Sequence, residues 1–389
     1  MKRLAIITTH PIQYNAPWFR MLAQSNRLLV KVFYTWEQSQ QGSKFDPGFG
    51  KKIEWDIPLL EGYEYCFVKN TAAEPGTHHF KGVINPTLNK EVESWNPDAV
   101  LVFGWSFSSH LACMRYFKGR IPVLFRGDST LLDDKPGVKK WLRRVFLRWV
   151  YRFIDYALYV GINNKNYFLA HGIAEGRLVL LPHAVDNRRF AEPRDEYEGQ
   201  AKQWRNKLGL LDNEVVVLFA GKLEPKKDPY FLLRLAASLK REDVRFLIVG
   251  NGVLEAEIKK MAEADRRILF LDFQNQQLMP VIYRVGDIFI LPSRGPGETW
   301  GLAINEAMAC SRPVMVSGKT GGGPDLVIGG DNGIIFDNED VEKCVRFITQ
   351  LADNRELLRQ MGENSAKKIQ QFSYENNMEV LLTMVSTRI

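Results

Sequence analysis

"IFILPSRGPGETWGLAINEAMA", residues 288–309, decides the fold. A short apolar run stops at a proline, a glycine-rich turn follows, and then comes an apolar, helix-forming run. An apolar run bounded this way reads as a buried parallel strand, and strand, tight turn and helix in succession build doubly wound α/β domains. Gly301 and Leu302 open the helix, so its free N–H groups and positive end face the carboxyl end of the sheet, where they attract phosphate. Two carboxylates flank that end. Glu298 precedes it, and Glu306 lies five residues beyond Gly301, roughly 7.5 Å along the axis at about 1.5 Å per residue.

The same rhythm extends in both directions. Toward the N-terminus of this half, "VVVLFAG" (215–221), "VRFLIVGNG" (244–252) and "ILFLDF" (268–273) each precede a helical stretch, and "PVMVSG" (313–318) follows. In the first half, "RLAIITTHP" (3–11), "LLVKVFYT", "DAVLVFG" (98–104), "IPVLFRGD" (121–128) and "YALYVG" (156–161) predict a second parallel sheet. Between the halves, "AEPRDEYEGQAKQW" (191–204) is polar and lacks a strand pattern, which marks the boundary. The expected organisation is a Rossmann-like domain over 1–195, a second over 205–370, and a C-terminal helix within 371–389 that packs back on the first. Two such domains facing each other make a cleft at the carboxyl ends of their strands.

Composition fits this picture. At 389 residues, 45% hydrophobic and 25% charged, the chain is long enough for two cores and is neither disordered nor fibrous. A net charge of +7 favours anionic partners. The four cysteines, Cys66, Cys113, Cys310 and Cys344, are scattered without CxxC spacing and read as reduced thiols. No apolar run reaches the ~18 residues of a membrane span and no signal peptide is legible, so a cytoplasmic protein is expected.

The chemistry-bearing residues cluster at strand ends. "GKLEPKKDP" follows "VVVLFAG" and places Lys222 and Lys227 where both reach a diphosphate, unless they belong to a merely solvated loop with Lys226. In "VGNG", Gly250 and Gly252 flank Asn251 and are expected to let a nucleotide approach the backbone. Glu255 occupies the place of the third fingerprint glycine, which argues against a dehydrogenase. The spacing at 298–306 fits a nucleotide sugar: diphosphate over the helix end, ribose hydroxyls at Glu306, sugar hydroxyls at Glu298. Otherwise Glu298 is an acidic residue near the helix start and Glu306 a solvent-facing one.

Taken in order, "GKLEPKK", "LIVGNGVLEAEI", "SRGPGETWGLAINEAMA", "GGGPDLV" and "NGIIF" resemble the retaining GT-B glycosyltransferases of family 4, over residues of about 215 to 375. The resemblance implies that Glu298 contacts the donor sugar, Glu306 the ribose, and Lys222 and Lys227 the diphosphate. It implies transfer of a sugar from a UDP- or GDP-sugar to a glycan or lipid-linked acceptor in cell-surface polysaccharide or lipopolysaccharide assembly. Catalytic roles fall to Glu298, Lys227 and Asp128, and donor contacts to Lys222, Lys227, Gly250, Asn251, Gly301, Leu302 and Glu306. Trp300 stands where Phe or Tyr is commoner, and "GKL" where "GRL" is. With no DxD segment, neither a catalytic metal nor another cofactor is expected.

The first half resembles the family less closely, through "THPIQYNAPWF" and "LPHAVDNRRF". His10, Gln13 and Tyr14 follow the first strand and touch acceptor or diphosphate, or else His10 stabilises a turn. "FRGDST" places Arg126 and Asp128 on the acceptor side where many relatives carry His-Asp, with a helix N-cap the alternative for Asp128. Residues 139–156, "KKWLRRVFLRWVYRFIDY", combine Trp141, Val145, Trp149 and Phe153 at helical spacing with Lys139, Lys140, Arg143, Arg144, Arg148 and Arg152. That pattern fits a helix lying on an anionic membrane surface, or an ordinary amphipathic helix with solvated charges. Rival functions are a nucleotide-sugar epimerase or hydrolase, and a non-catalytic basic nucleotide- or nucleic-acid-binding protein. No nucleic-acid-binding motif is legible, and nucleic acid is not expected as a partner.

Overall fold

The computed structural model describes residues 1–40, 44–46 and 51–389. Its strands in chain order are β1 (Arg3–Thr8), β2 (Leu29–Tyr34), β3 (Lys44–Asp46), β4 (Lys51–Ile53), β5 (Glu64–Phe67), β6 (Ala99–Phe103), β7 (Val123–Arg126), β8 (Tyr156–Tyr159) and β9 (Leu178–Leu180). They continue with β10 (Val215–Ala220), β11 (Val244–Val249), β12 (Ile268–Leu271), β13 (Ile288–Leu291), β14 (Val314–Ser317) and β15 (Gly333–Phe336). β3 and β4 pair only with each other, and the rest form two parallel sheets of seven and six strands with helices interleaved. This is the GT-B fold, two Rossmann-like doubly wound units.

The first unit comprises Met1–Lys44, Ile57–His183 and Tyr374–Ile389. Its sheet runs β5-β2-β1-β6-β7-β8-β9. Leu4, Ala5, Ile6 and Ile7 of β1 are wholly buried, as expected where helices cover both faces of a parallel sheet. β5 and β9 went unread in the sequence for different reasons: β5 is not a continuous apolar run, with Glu64 and Tyr65 exposed, and β9, though apolar, is three residues long at the sheet edge. The last helix, Tyr374–Arg388, belongs here. Its Asn377 donates to the Pro182 carbonyl at 2.8 Å, its Tyr374 hydroxyl to the Tyr14 carbonyl at 2.9 Å, and its Glu379 pairs with Arg27.

The second unit comprises Phe45–Asp56 and Ala184–Ser373. Its sheet runs β12-β11-β10-β13-β14-β15, so successive strands step outward one way from β10 and then the other way from β13. Helix Arg194–Lys207 covers the polar stretch that reads as a boundary, and it groups with this unit. Arg205 explains why: it bonds the Val285 and Glu214 carbonyls and pairs with Asp287 at 3.1 Å. Every residue of β10 is buried, and β10 lies between β11 and β13 in parallel register. At roughly 1.5–3 kcal/mol for each large apolar side chain removed from water, these central strands dominate the stability of the unit. The crevice where the strand order reverses, between the carboxyl ends of β10 and β13, is where open α/β sheets bind ligands.

Candidate functional site

Two loops meet at that crevice. The first leaves β10 through Gly221 and Lys222 and turns at a short 3-10 helix, Pro225–Lys227. The second leaves β13 at Pro292 and reaches helix Leu302–Ala309. The Arg294 N–H donates to the Lys226 carbonyl at 2.9 Å, and the Lys226 ammonium reaches the Gly297 carbonyl at 3.4 Å. Beneath them Asp228, 3% exposed, accepts the Arg294 guanidinium at 2.8 Å. A buried carboxylate must be paired, and here the pairing fixes one loop against the other.

The clamp brings together residues 71 apart in sequence. Lys227 Nζ lies 2.5 Å from Glu298 Oε2, with only 17% and 7% of the two side chains exposed. The Ser293 hydroxyl donates to the same oxygen at 3.0 Å. A third loop holds Glu298 from behind, since the Gly321 N–H donates to the Glu298 carbonyl and that of Gly322 to the Trp300 carbonyl, both at 2.9 Å. The sequence predicted Glu298 and Lys227 separately, on different ligand groups. The structure joins them as an ion pair.

Gly301 caps the helix at φ 97°, in the left-handed region. A Cβ there would lie 2.8 Å from Leu291 Cδ2 and 2.9 Å from Thr320 Cγ2, so glycine meets both a backbone and a space requirement. Leu302 begins the helix, as the sequence predicted. Glu306 is 3% exposed rather than solvent-facing, and the Tyr283 hydroxyl donates to its Oε2 at 2.7 Å. Buried Trp300 donates through Nε1 to Asn305 Oδ1 at 2.8 Å and lies against Phe372, which locks the approach to the helix. Lys222 is half-buried at the start of the first loop.

The glycines of "VGNG" sit against a neighbouring loop. A Cβ on Gly250 would come within 2.0 Å of the Gly221 carbonyl oxygen, and one on Gly252 within 2.4 Å of that of Leu223. Their missing side chains admit the neighbouring loop, a packing requirement that the sequence reading did not include. Asn251 is likewise engaged internally: its amide donates to Glu255 at 2.9 Å and Asp272 at 3.0 Å, and its Oδ1 accepts from the Phe273 N–H at 2.8 Å.

In the first unit, His10 follows β1, with Nδ1 2.9 Å from the Thr9 hydroxyl and its ring edge-on to Trp36. Tyr14 presents its carbonyl to Tyr374, and Gln13 is half-buried. Arg126, expected on the acceptor side, is engaged with the backbone. Its guanidinium is buried and donates to the Leu181 and Pro182 carbonyls, and burial lowers its pKa to about 10, with Asp128 opposing. Asp128 meets an imidazole supplied from elsewhere in the chain: His183 Nε2 lies 3.6 Å from its Oδ2. Burial holds His183 below its ordinary pKa, Asp128 opposes this and Arg126 reinforces it. The His-Asp pair missing from "FRGDST" is thus assembled across the sheet, with its histidine from "LPHAVD".

Sequence reasoning missed Ser293, Tyr283, Asp228 and His183. Ser293 and Asp228 lay inside quoted strand-end stretches and Asp228 even precedes a proline, but only the tertiary pairing gives them a role. Nothing near Tyr283 hints at Glu306, 23 residues away. Together the second unit offers an ammonium held by a carboxylate, another lysine and the N-terminus of an eight-residue helix. This suits an anion flanked by hydroxyl groups.

Residues 200–368 match the family described as glycosyl transferases group 1. The chain is 30% identical over 231 residues to a D-inositol 3-phosphate glycosyltransferase of Nocardia farcinica, covering 56% of this chain and 49% of the relative. It is 28% identical over 229 residues to a GDP-mannose-dependent monoacylated alpha-(1-6)-phosphatidylinositol monomannoside mannosyltransferase of Corynebacterium glutamicum, covering 56% and 57%. The chain thus spans about half the length of the curated relatives it matches. In fold it is similar along its whole length to the Anabaena protein Alr3699/HepE, solved in complex with UDP and glucose, with a TM-score of 0.70, 17% identity and 100% of both chains covered.

Proposed function

We propose, from the match of residues 200–368 to the family described as glycosyl transferases group 1, that the protein transfers a sugar from a UDP- or GDP-sugar to a glycan or lipid-linked acceptor. The observation that carries the reading is the Lys227–Glu298 pair, clamped at the switch point in front of helix Leu302–Ala309. Breaking the bond between sugar and diphosphate leaves negative charge on the departing phosphate. Lys227, Lys222 and the N–H groups that open the helix receive it, and such preorganised charge is the usual source of rate in a leaving-group reaction. When the diphosphate draws Lys227 toward itself, the Glu298 carboxylate becomes free to accept hydroxyls of the sugar. Glu306, fixed by Tyr283, accepts the ribose hydroxyls.

In this reading transfer is metal-independent and retains the anomeric configuration, with the acceptor attacking the face the diphosphate leaves. The Asp128–His183 pair serves the acceptor side, and His10, Gln13 and Tyr14 line its approach. The relatives' names mention inositol 3-phosphate and a phosphatidylinositol monomannoside, which supports a polar or lipid-linked acceptor. Transfer at the cytoplasmic face during cell-surface polysaccharide assembly completes the proposed reading. A thermal-shift screen of UDP, GDP, ADP and their sugars tests the donor class. One nucleotide series should raise the melting temperature by several degrees at millimolar concentration. No shift with any of them contradicts the proposal.

A further inference from the structure

Helix Val138–Val150 carries two apolar faces. One is ordinary: Leu147 and Val150 are wholly buried in the core of the first unit. The other consists of Val138, Trp141, Leu142, Val145, Phe146 and Trp149, all exposed, with Trp141 at 63% and Leu142 at 55%. At about 100° per residue these six occupy a continuous arc of roughly 140°, centred almost opposite Leu147. The stripe expected from the sequence included Phe153, but Phe153 is partly buried against the core while Leu142 and Phe146 complete the outer face.

The rims of the arc are basic. Lys139 borders one side and Arg144 and Arg148 the other, and the helix contains no acidic residue. Asp134 pairs with Lys140 at 3.3 Å and Arg143 at 3.9 Å, both lying toward the core side of the arc. Arg115 of the neighbouring helix lies over the rings of Trp149 and Phe153 and adds a cation at the far end.

We infer that this face docks on an anionic phospholipid leaflet, with the helix lying in the plane of the interface. Thirteen residues span about 20 Å, too short to cross a hydrocarbon core of about 30 Å, and among the described residues no helix is long and apolar enough to do so. A helix parallel to the surface sinks Leu142, Val145 and Trp149, nearest the centre of the arc, below the headgroups and keeps the Trp141 and Phe146 rings, at its edges, at headgroup depth. Lys139, Arg144 and Arg148 then meet lipid phosphates. A second copy of the chain fits worse, because a two-fold contact through this face sets the same positive rims against each other.

The position matters for the acceptor. β7 ends at Arg126, Asp128 follows, and the helix opens at Val138, so its N-terminal turn stands at the carboxyl edge of the first sheet, where Asp128 lies. Docking there brings a lipid-linked acceptor to the Asp128–His183 side. This consequence rests on the function proposed above, but the docking does not.

Sedimentation of the full chain with phosphatidylcholine vesicles, with and without about 30% phosphatidylglycerol, tests the surface in the absence of any donor. Affinity for the anionic vesicles should be at least tenfold the higher. Trp141→Ser/Leu142→Ser/Phe146→Ser should lower it at least tenfold with an unchanged circular dichroism spectrum. Lys139→Gln/Arg148→Gln should lower it about 25-fold on anionic vesicles only, since each basic residue near the surface contributes about a fivefold factor. Equal absence from both pellets, or a triple variant that sediments like the parent, overturns the inference. So does a doubled mass by light scattering that the triple variant abolishes, which would mean that a second copy covers the face. Failure of docking with intact nucleotide shifts leaves the proposed function standing, and the converse result separates the two equally well.

Discussion

Replacing Glu298 with glutamine should tighten nucleotide binding while stopping transfer. In the structure Lys227 and Glu298 form a pair of no net charge, with Nζ and Oε2 2.5 Å apart. The glutamine side chain keeps the shape and an acceptor for the Ser293 hydroxyl, but leaves the site one unit more positive. A carboxylate about 6 Å from a phosphate charge repels it by roughly 3 kcal/mol at an effective dielectric of 20. If solvent and the movement of Lys227 absorb half of that, about 1.4 kcal/mol survives, a tenfold fall in Kd. The ligand-free protein should suffer the opposite effect. Removing one partner of a buried pair costs about 3–5 kcal/mol, and less here because Lys227, 17% exposed, can turn toward water. Calorimetric titration of parent and E298Q with UDP and GDP, beside a single-turnover transfer assay, reads both sides. A Kd for E298Q threefold weaker than the parent's refutes the reasoning, because the carboxylate would then not face the diphosphate. Lys227→Met is the counterpart and should weaken the same nucleotide at least tenfold.

Three further outcomes follow from the packing. Tyr283→Phe removes a donor from the buried Glu306 carboxylate and should cost about 1–3 kcal/mol, read as a lower urea midpoint, with most of any functional loss in donor KM. Gly321→Ala puts a Cβ 1.9 Å from the Thr299 carbonyl oxygen, so the loop behind Glu298 must shift; about 1–3 kcal/mol of destabilisation and loss of the nucleotide thermal shift are expected. His110, wholly buried, donates from Nδ1 to the Phe103 carbonyl and accepts at Nε2 from Thr35, and burial lowers its pKa from 6.5 to about 4. Its folded pKa lies below the unfolded one, so its contribution is complete above pH 6.5 and is lost as the pH falls toward 4. That amounts to about 3 kcal/mol at about 1.4 kcal/mol per pH unit, and His110→Gln should flatten this part of the urea-midpoint profile between about pH 7.5 and 4.5.

Much of the architecture was legible because burial writes itself into composition. β10, β11 and β13 read as strands since both faces of a parallel sheet must be apolar, and the helix after Gly301 read correctly because a glycine turn and an apolar run admit little else. β5 failed the same test, since an edge strand faces water, and β9 was too short to stand out. Helix Arg194–Lys207 read only as a boundary because its stabilising contacts are polar, made by Arg205 to the Val285 and Glu214 carbonyls. The packing role of "VGNG" was hidden for a related reason: a glycine that admits a neighbouring loop and one that admits a ligand leave the same letter.

What the sequence determined by itself was the periodic placement of apolar runs, the glycine-led helix start and the two carboxylates around it, because each depends on residues a few positions apart. The tertiary structure alone decided which charges meet. Lys227 and Glu298, and Asp128 and His183, are joined only when β-strands with intervening helices return their carboxyl ends to one edge of each sheet, and Tyr283 and Glu306 only when helices Met279–Val285 and Leu302–Ala309 come together. The same holds for Arg126, whose guanidinium is committed to backbone carbonyls 55 and 56 residues away. Spacing along a chain limits the distance between near neighbours, whereas the pairing of distant side chains depends on the order of strands in the sheet, which no local pattern records.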